Sequence, residues 1–186
     1  MADRIVVDVV PAKERTERTI SRSFRLSKSI LNGLEEDANL QKISTNALVS
    51  KILSDYVELE RFSEPFGTIR VGRDTVRDFL EMVPEEGLKK AGLKAGKGLP
   101  IAVISAKYGK INADSVLRFI REYFGYSNLV RYSEKRQNDS MTITFAHELG
   151  LKLSFFIEAY LQPSFEIANI KVKESLKSDH ALMISL

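Results

Sequence analysis

The sequence predicts an α+β protein in two parts: a small strand–helix–helix module near the N-terminus, then a larger domain in which helices pack on an antiparallel sheet. Three observations predict it. Apolar and polar residues alternate just ahead of two capped helical patterns. After Ser63-Glu64-Pro65 the pattern changes to helices interleaved with short strands. Two strand pairs follow, with turns at Asn138-Asp139 and Ser178-Asp179. The expected organisation is a flexible arm over 1–18, the module over 19–62, and an α+β domain over 63–186 that oligomerises or senses a signal.

In the arm, Ile5 to Val10 is apolar but stops at Pro11. It is too short for a signal-peptide core and is broken by Asp8. Lys13, Arg15 and Arg18 stand available to phosphates, with addition of a strand to the second domain as the alternative.

The strand is expected from Thr19 to Leu26. Ile20, Phe24 and Leu26 share one face, with Arg22 out of pattern between them; Ser21, Ser23 and Arg25 share the other. A lone strand must pair its backbone groups with something, and a two-stranded ribbon from two chains is the simplest answer. The first helix starts at the N-cap Ser27 and carries Ile30, Leu31, Leu34 and Ala38 at helical spacing. Gly33 weakens it by roughly 1 kcal/mol relative to alanine. The second starts at Ser44, with Leu48, Val49, Ile52, Leu53, Tyr56 and Val57 in two adjacent rows. A helix apolar on two rows, in so small a segment, packs both on its neighbour and on a second subunit.

Strand, then Leu-Ser-x-x-Ile-Leu into a helix, then Ile-Ser-x-Asn-x-Leu opening a second, resembles the ribbon-helix-helix family of DNA-binding proteins, to which the Arc and Met repressors belong. The resemblance covers about residues 18–58 and rests on the ordered set of features. It implies a homodimer whose paired strands enter the major groove of double-stranded DNA. Ser21, Ser23 and Arg25 are then the base readers, and Ser44, Thr45 and Asn46 the phosphate clamp, with Arg18 and Lys28 as further phosphate contacts. The chain departs from the family in two places: Arg22 stands where an apolar residue is usual, and Gln41-Lys42 replace the usual glycine before the second helix. The chemistry is consistent with these roles. A guanidinium fork bridges the O6 and N7 of guanine, serines give less selective contacts, and a helix N-terminus attracts phosphate.

Charge is sorted along this part of the chain. From Lys13 to Lys28 six basic residues face two acidic ones, whereas Glu35, Glu36, Asp37, Asp55, Glu58 and Glu60 make the following helices acidic. The whole chain of 186 residues carries only +3, which does not by itself imply nucleic acid.

Beyond Pro65, Phe66 to Val71 reads as a strand and Asp74 to Val83 as a helix. Pro84 opens another helix as far as Leu93, and Gly92 to Gly98 reads as helix endings and a loop. Pro100 to Tyr108 is open between buried strand and helix. Asn112 caps a helix carrying Val116, Leu117, Ile120 and Phe124 and ended by Gly125. Leu129 to Glu134 and Met141 to His147 form a hairpin, Gly150 to about Tyr160 a helix, and Ile170 to Leu176 and Ala181 to Leu186 a closing hairpin. The sheet–helix–sheet order is faintly similar to small-molecule sensor domains.

The absence of cysteine excludes disulfides, thiolate catalysis and cysteine-based metal sites. No run is long and apolar enough to span a bilayer, so a cytoplasmic address without membrane contact is expected. The glycine- and lysine-rich stretch does not match a phosphate-binding loop, because no Ser or Thr follows Lys97. The only histidines are His147 and His180; no third group stands at recognisable spacing to orient them, so no enzyme is expected and His147 is read as structural or interfacial. A nickel-responsive branch of the resembled family shares the two-part layout, but its site needs several histidines and a cysteine. Neither metal nor cofactor is expected here. A sequence-specific transcriptional regulator, acting as a repressor and with its second domain as a surface for higher assembly, is the first functional reading. An antitoxin whose C-terminal part binds a protein partner is the alternative; against it, that part has the composition of a folded domain. A DNA-organising protein is disfavoured by the low net charge.

Overall fold

The computed structural model describes residues 20–64, 67, 71–127, 129–137 and 140–186. The arm, Arg18 and Thr19, most of the strand expected at Phe66 to Val71, and the Asn138-Asp139 turn lie outside them. The chain is α+β and divides into two compact units, residues 1–48 and 49–186. Among the described residues no helix is long and apolar enough to cross a membrane.

The first unit departs from expectation at its start. Residues 20–27 have no regular secondary structure, so the strand predicted to end at Leu26 is not formed in the single chain. The physical reason is the one that made a ribbon attractive: no described segment of the unit pairs with its backbone groups. Helix α1 (Lys28–Gln41) follows, and the Ser27 hydroxyl accepts the Ile30 N–H at 3.4 Å. Its end lacks glycine, yet Lys42 takes the left-handed conformation, φ 55°. That places the Ile43 N–H on the Ala38 carbonyl (3.0 Å) and the Lys42 N–H on that of Asn39 (3.1 Å). Helix α2 (Thr45–Asp55) then starts with the Ser44 hydroxyl accepting the Ala47 N–H at 3.1 Å.

In the second unit α2 continues into a π-helical turn (Tyr56–Glu60) and a last α-turn, α3 (Arg61–Ser63). Helices α4 (Arg73–Met82), α5 (Glu85–Gly96), α6 (Leu99–Tyr108) and α7 (Ala113–Tyr126) precede a hairpin of β1 (Arg131–Gln137) and β2 (Ser140–Ala146). Helix α8 (Leu151–Ile167) and a second hairpin, β3 (Glu174–Lys177) and β4 (Ala181–Ser185), close the chain. The four strands form one antiparallel sheet in the order β1-β2-β4-β3. Asn112 and Ser115 make a reciprocal capping box at the start of α7.

The core lies between one face of this sheet and helices α7 and α8. Ile143, Phe145, Leu182 and Ile184 point from the two central strands onto Val116, Ile120, Phe124, Leu153 and Ile157. Along β2 and β4 buried residues alternate with outward ones. On the same face the two edge strands carry charges that the helices neutralise. Glu134 of β1 meets Arg121 of α7 at 2.8 Å, and Lys177 of β3 meets Glu158 of α8 at 2.6 Å.

Two expectations fail in this unit for packing reasons. Gly92 to Gly96 is not a loop: α5 runs through it, and both glycines are buried against α8. Helix α8 does not stop near Tyr160; it continues through Pro163 to Ile167 and ends where Asn169 turns left-handed at φ 54°. Pro100 to Tyr108 resolves as helix α6, with Val103 and Ile104 buried.

Candidate nucleic-acid interface

The residues expected to read DNA lie in two places within the first unit. Ser21, Ser23 and Arg25 are exposed on the irregular segment 20–27, and Lys28 is exposed as the first residue of α1. Arg25 and Lys28 form no ion pair among the described residues. Ser44, Thr45 and Asn46 form the start of α2. The Ser44 hydroxyl is spent on the Ala47 N–H and its carbonyl on the Leu48 N–H, at 3.0 Å. Within the described residues the N–H groups of Thr45 and Asn46 have no protein acceptor. Two free donors and a positive helix end are what an oxyanion needs there. The segment and the helix start are not joined by a hydrogen bond among the described residues.

The unit's apolar surface is largely unburied. In residues 20–48 only Ala38 and Leu48 are buried hydrophobic side chains. Ile20 is 72% exposed, Phe24 74% and Leu40 81%, and Leu26, Ile30, Leu31 and Ile43 are exposed as well.

In the second unit, His147 is a satisfied buried group. Its Nδ1 accepts the Leu149 N–H at 3.4 Å, which leaves the proton on Nε2 to donate to Ser154 Oγ at 2.9 Å. Ser154 Oγ in turn donates to the Ser178 carbonyl at 3.0 Å. Burial, helped by His180 and Arg73, lowers the imidazole's pKa below its ordinary value, while Asp179 opposes the shift. A neutral, fully bonded imidazole of this kind holds a corner of the fold.

A second polar centre was not legible in the sequence. The Lys107 ammonium donates to the carboxylates of Glu58 and Glu122 and to the Glu58 carbonyl, and the Tyr108 hydroxyl donates to Glu122. Burial first, then the Glu122 carboxylate, raises the Tyr108 pKa well above that of free tyrosine. This network fixes the π-helical turn, which carries Glu58, against α6 and α7. Residues so far apart in sequence share no motif, so spacing gave no signal.

Fold and site together define an α+β protein with a helix-flanked, four-stranded antiparallel sheet. No protein-family model matches the chain, and neither a curated protein nor a solved structure does.

Proposed function

We propose that the chain is a dimeric, sequence-specific DNA-binding regulator of transcription, a repressor by class, working without a cofactor or metal. The observation that carries the reading is the first unit's unburied apolar surface. Seven large hydrophobic side chains over 29 residues, with two small or medium ones buried, do not make a stable solitary module. A second copy of the same segment supplies the missing partner: its residues 20–26 pair with these as an antiparallel ribbon, covering Ile20, Phe24 and Leu26 and turning Ser21, Ser23 and Arg25 to one outer face. That face then meets base edges in the major groove, while Arg18, Lys28, Ser44, Thr45 and Asn46 hold phosphates. The free N–H groups of Thr45 and Asn46 support the last role.

Selection of duplexes from a random pool by the purified chain tests the reading. It expects enrichment of a short two-fold symmetric site, because an isologous dimer presents the same face twice. A pool that stays random after repeated selection argues against sequence-specific binding.

A further inference from the structure

The Lys107 network forms part of the wall of an open cleft of about 880 Å³ in the second unit. That volume suits a small molecule. Three more cations line it: Arg61 from α3, Lys110 from the loop after α6, and Arg118 from α7. Lys107 is paired with both Glu58 and Glu122, so that network carries one net negative charge. Arg61, Lys110 and Arg118 form no ion pair among the described residues. Asp114 is the one lining carboxylate besides Glu58, so with Glu122 counted the four cations of the cleft face three carboxylates and the site stays net positive.

The two guanidinium groups are also steadied. Arg61 lies over the Phe62 ring at 4.6 Å and Arg118 over the Tyr108 ring at 4.9 Å. Tyr108 is itself held by its bond to Glu122. An arginine resting on a fixed ring loses less freedom when it binds, and its planar fork matches the oxygens of a phosphate.

We propose that this cleft binds a phosphorylated small molecule, its phosphate held by Arg61 and Arg118 with Lys110 at the rim. A phosphate monoester carries about −1.5 to −2 at neutral pH, opposite in sign to the three cations that have no ion pair among the described residues. Binding here is independent of whether the first unit reads DNA, and the test uses no operator.

Calorimetric titration of the full chain with glycerol 3-phosphate, inorganic phosphate and succinate provides that test. Saturable binding of the phosphate ester at one site per chain is the expected result. Arg118→Ala and Arg61→Ala should each weaken it about ten-fold or more, the loss of one charge-assisted contact. Lys90→Ala, on an exposed part of α5 outside the cleft, should leave it unchanged. The proposal is overturned if no phosphate species binds saturably, if succinate binds as tightly, or if the Arg61→Ala/Arg118→Ala double variant binds like the parent. It is also overturned if that double variant loses affinity for duplex DNA of any sequence while the parent binds no phosphate ester, since the cleft would then be a DNA-backbone surface.

Discussion

Gly96 of α5 lies so close to Tyr160 of α8 that a Cβ added to it would stand 2.1 Å from the Tyr160 carbonyl oxygen. One turn earlier, a Cβ on Gly92 would stand 2.7 Å from the Phe156 carbonyl. The two glycines, four apart on one face of α5, let the helices approach backbone to backbone. Gly96→Ala should therefore destabilise the protein although alanine is the better helix former. The propensity gain is about 1 kcal/mol, whereas forcing packed helices apart costs about 3 kcal/mol, for a net loss near 2 kcal/mol. Urea unfolding of the variant measures it; an unchanged or higher midpoint would show that the helices separate freely.

Lys42 sits left-handed at the end of α1, where glycine is usual. Lys42→Gly should stabilise the first unit by about 1 kcal/mol, since the left-handed conformation costs an L-residue about that much or more. Helical circular dichroism followed through thermal unfolding reads the change. A lower melting temperature would mean that the lysine side chain contributes more than its backbone costs.

The buried His147 predicts a pH dependence. Its folded-state pKa lies below the ordinary 6.5, so the unfolded chain takes up a proton first as pH falls. This contribution to stability is fully present above 6.5 and is lost as pH drops from 6.5 towards the depressed folded value. Unfolding free energies between about pH 7.5 and pH 5 should fall in the parent and fall less steeply in His147→Gln. Equal slopes would remove His147 as the cause.

How much of this was legible in the sequence depended on whether the signal was local. Ser27, Ser44 and Asn112 cap the helices they were expected to cap, because a cap is decided by a hydroxyl or amide and the N–H groups beside it. Both hairpins were legible from the turn residues between their strands, although β3 starts at Glu174 and not at the expected Ile170. The glycines of α5 misled because their reason is another helix some sixty residues away; alone, Gly-x-x-x-Gly reads as a break. The end of α8 was placed too early because packing against the core carries the helix past Tyr160 and through Pro163, outweighing the hydrogen bond that proline removes. Among the proposed DNA contacts, the caps could be read, but the strand could not, because no partner for residues 20–26 stands among the described residues. The cationic cleft left no pattern, since Arg61, Lys110 and Arg118 converge only on folding.

The exposed apolar residues of the first unit predict a dimer that does not fall apart into folded monomers. Phe24→Ser should raise its dissociation constant by roughly a hundred-fold, taking about 1.5 kcal/mol of burial lost in each copy. Light scattering over a dilution series follows it. A stable, helical monomer of residues 1–62 would contradict the dimer.

The most direct test of DNA reading by residues 20–26 is a binding titration of Arg25→Ala and Lys28→Ala on the selected duplex and on random duplex, at two salt concentrations. Arg25→Ala should cost about 1–3 kcal/mol on the selected site and much less on random DNA, because a bidentate fork on a base is lost. Lys28→Ala should weaken both about equally and flatten the salt dependence by about one unit, because a phosphate contact is lost. If Arg25→Ala weakens both duplexes alike, or neither, then Arg25 does not read bases and the proposed ribbon is not the recognition element.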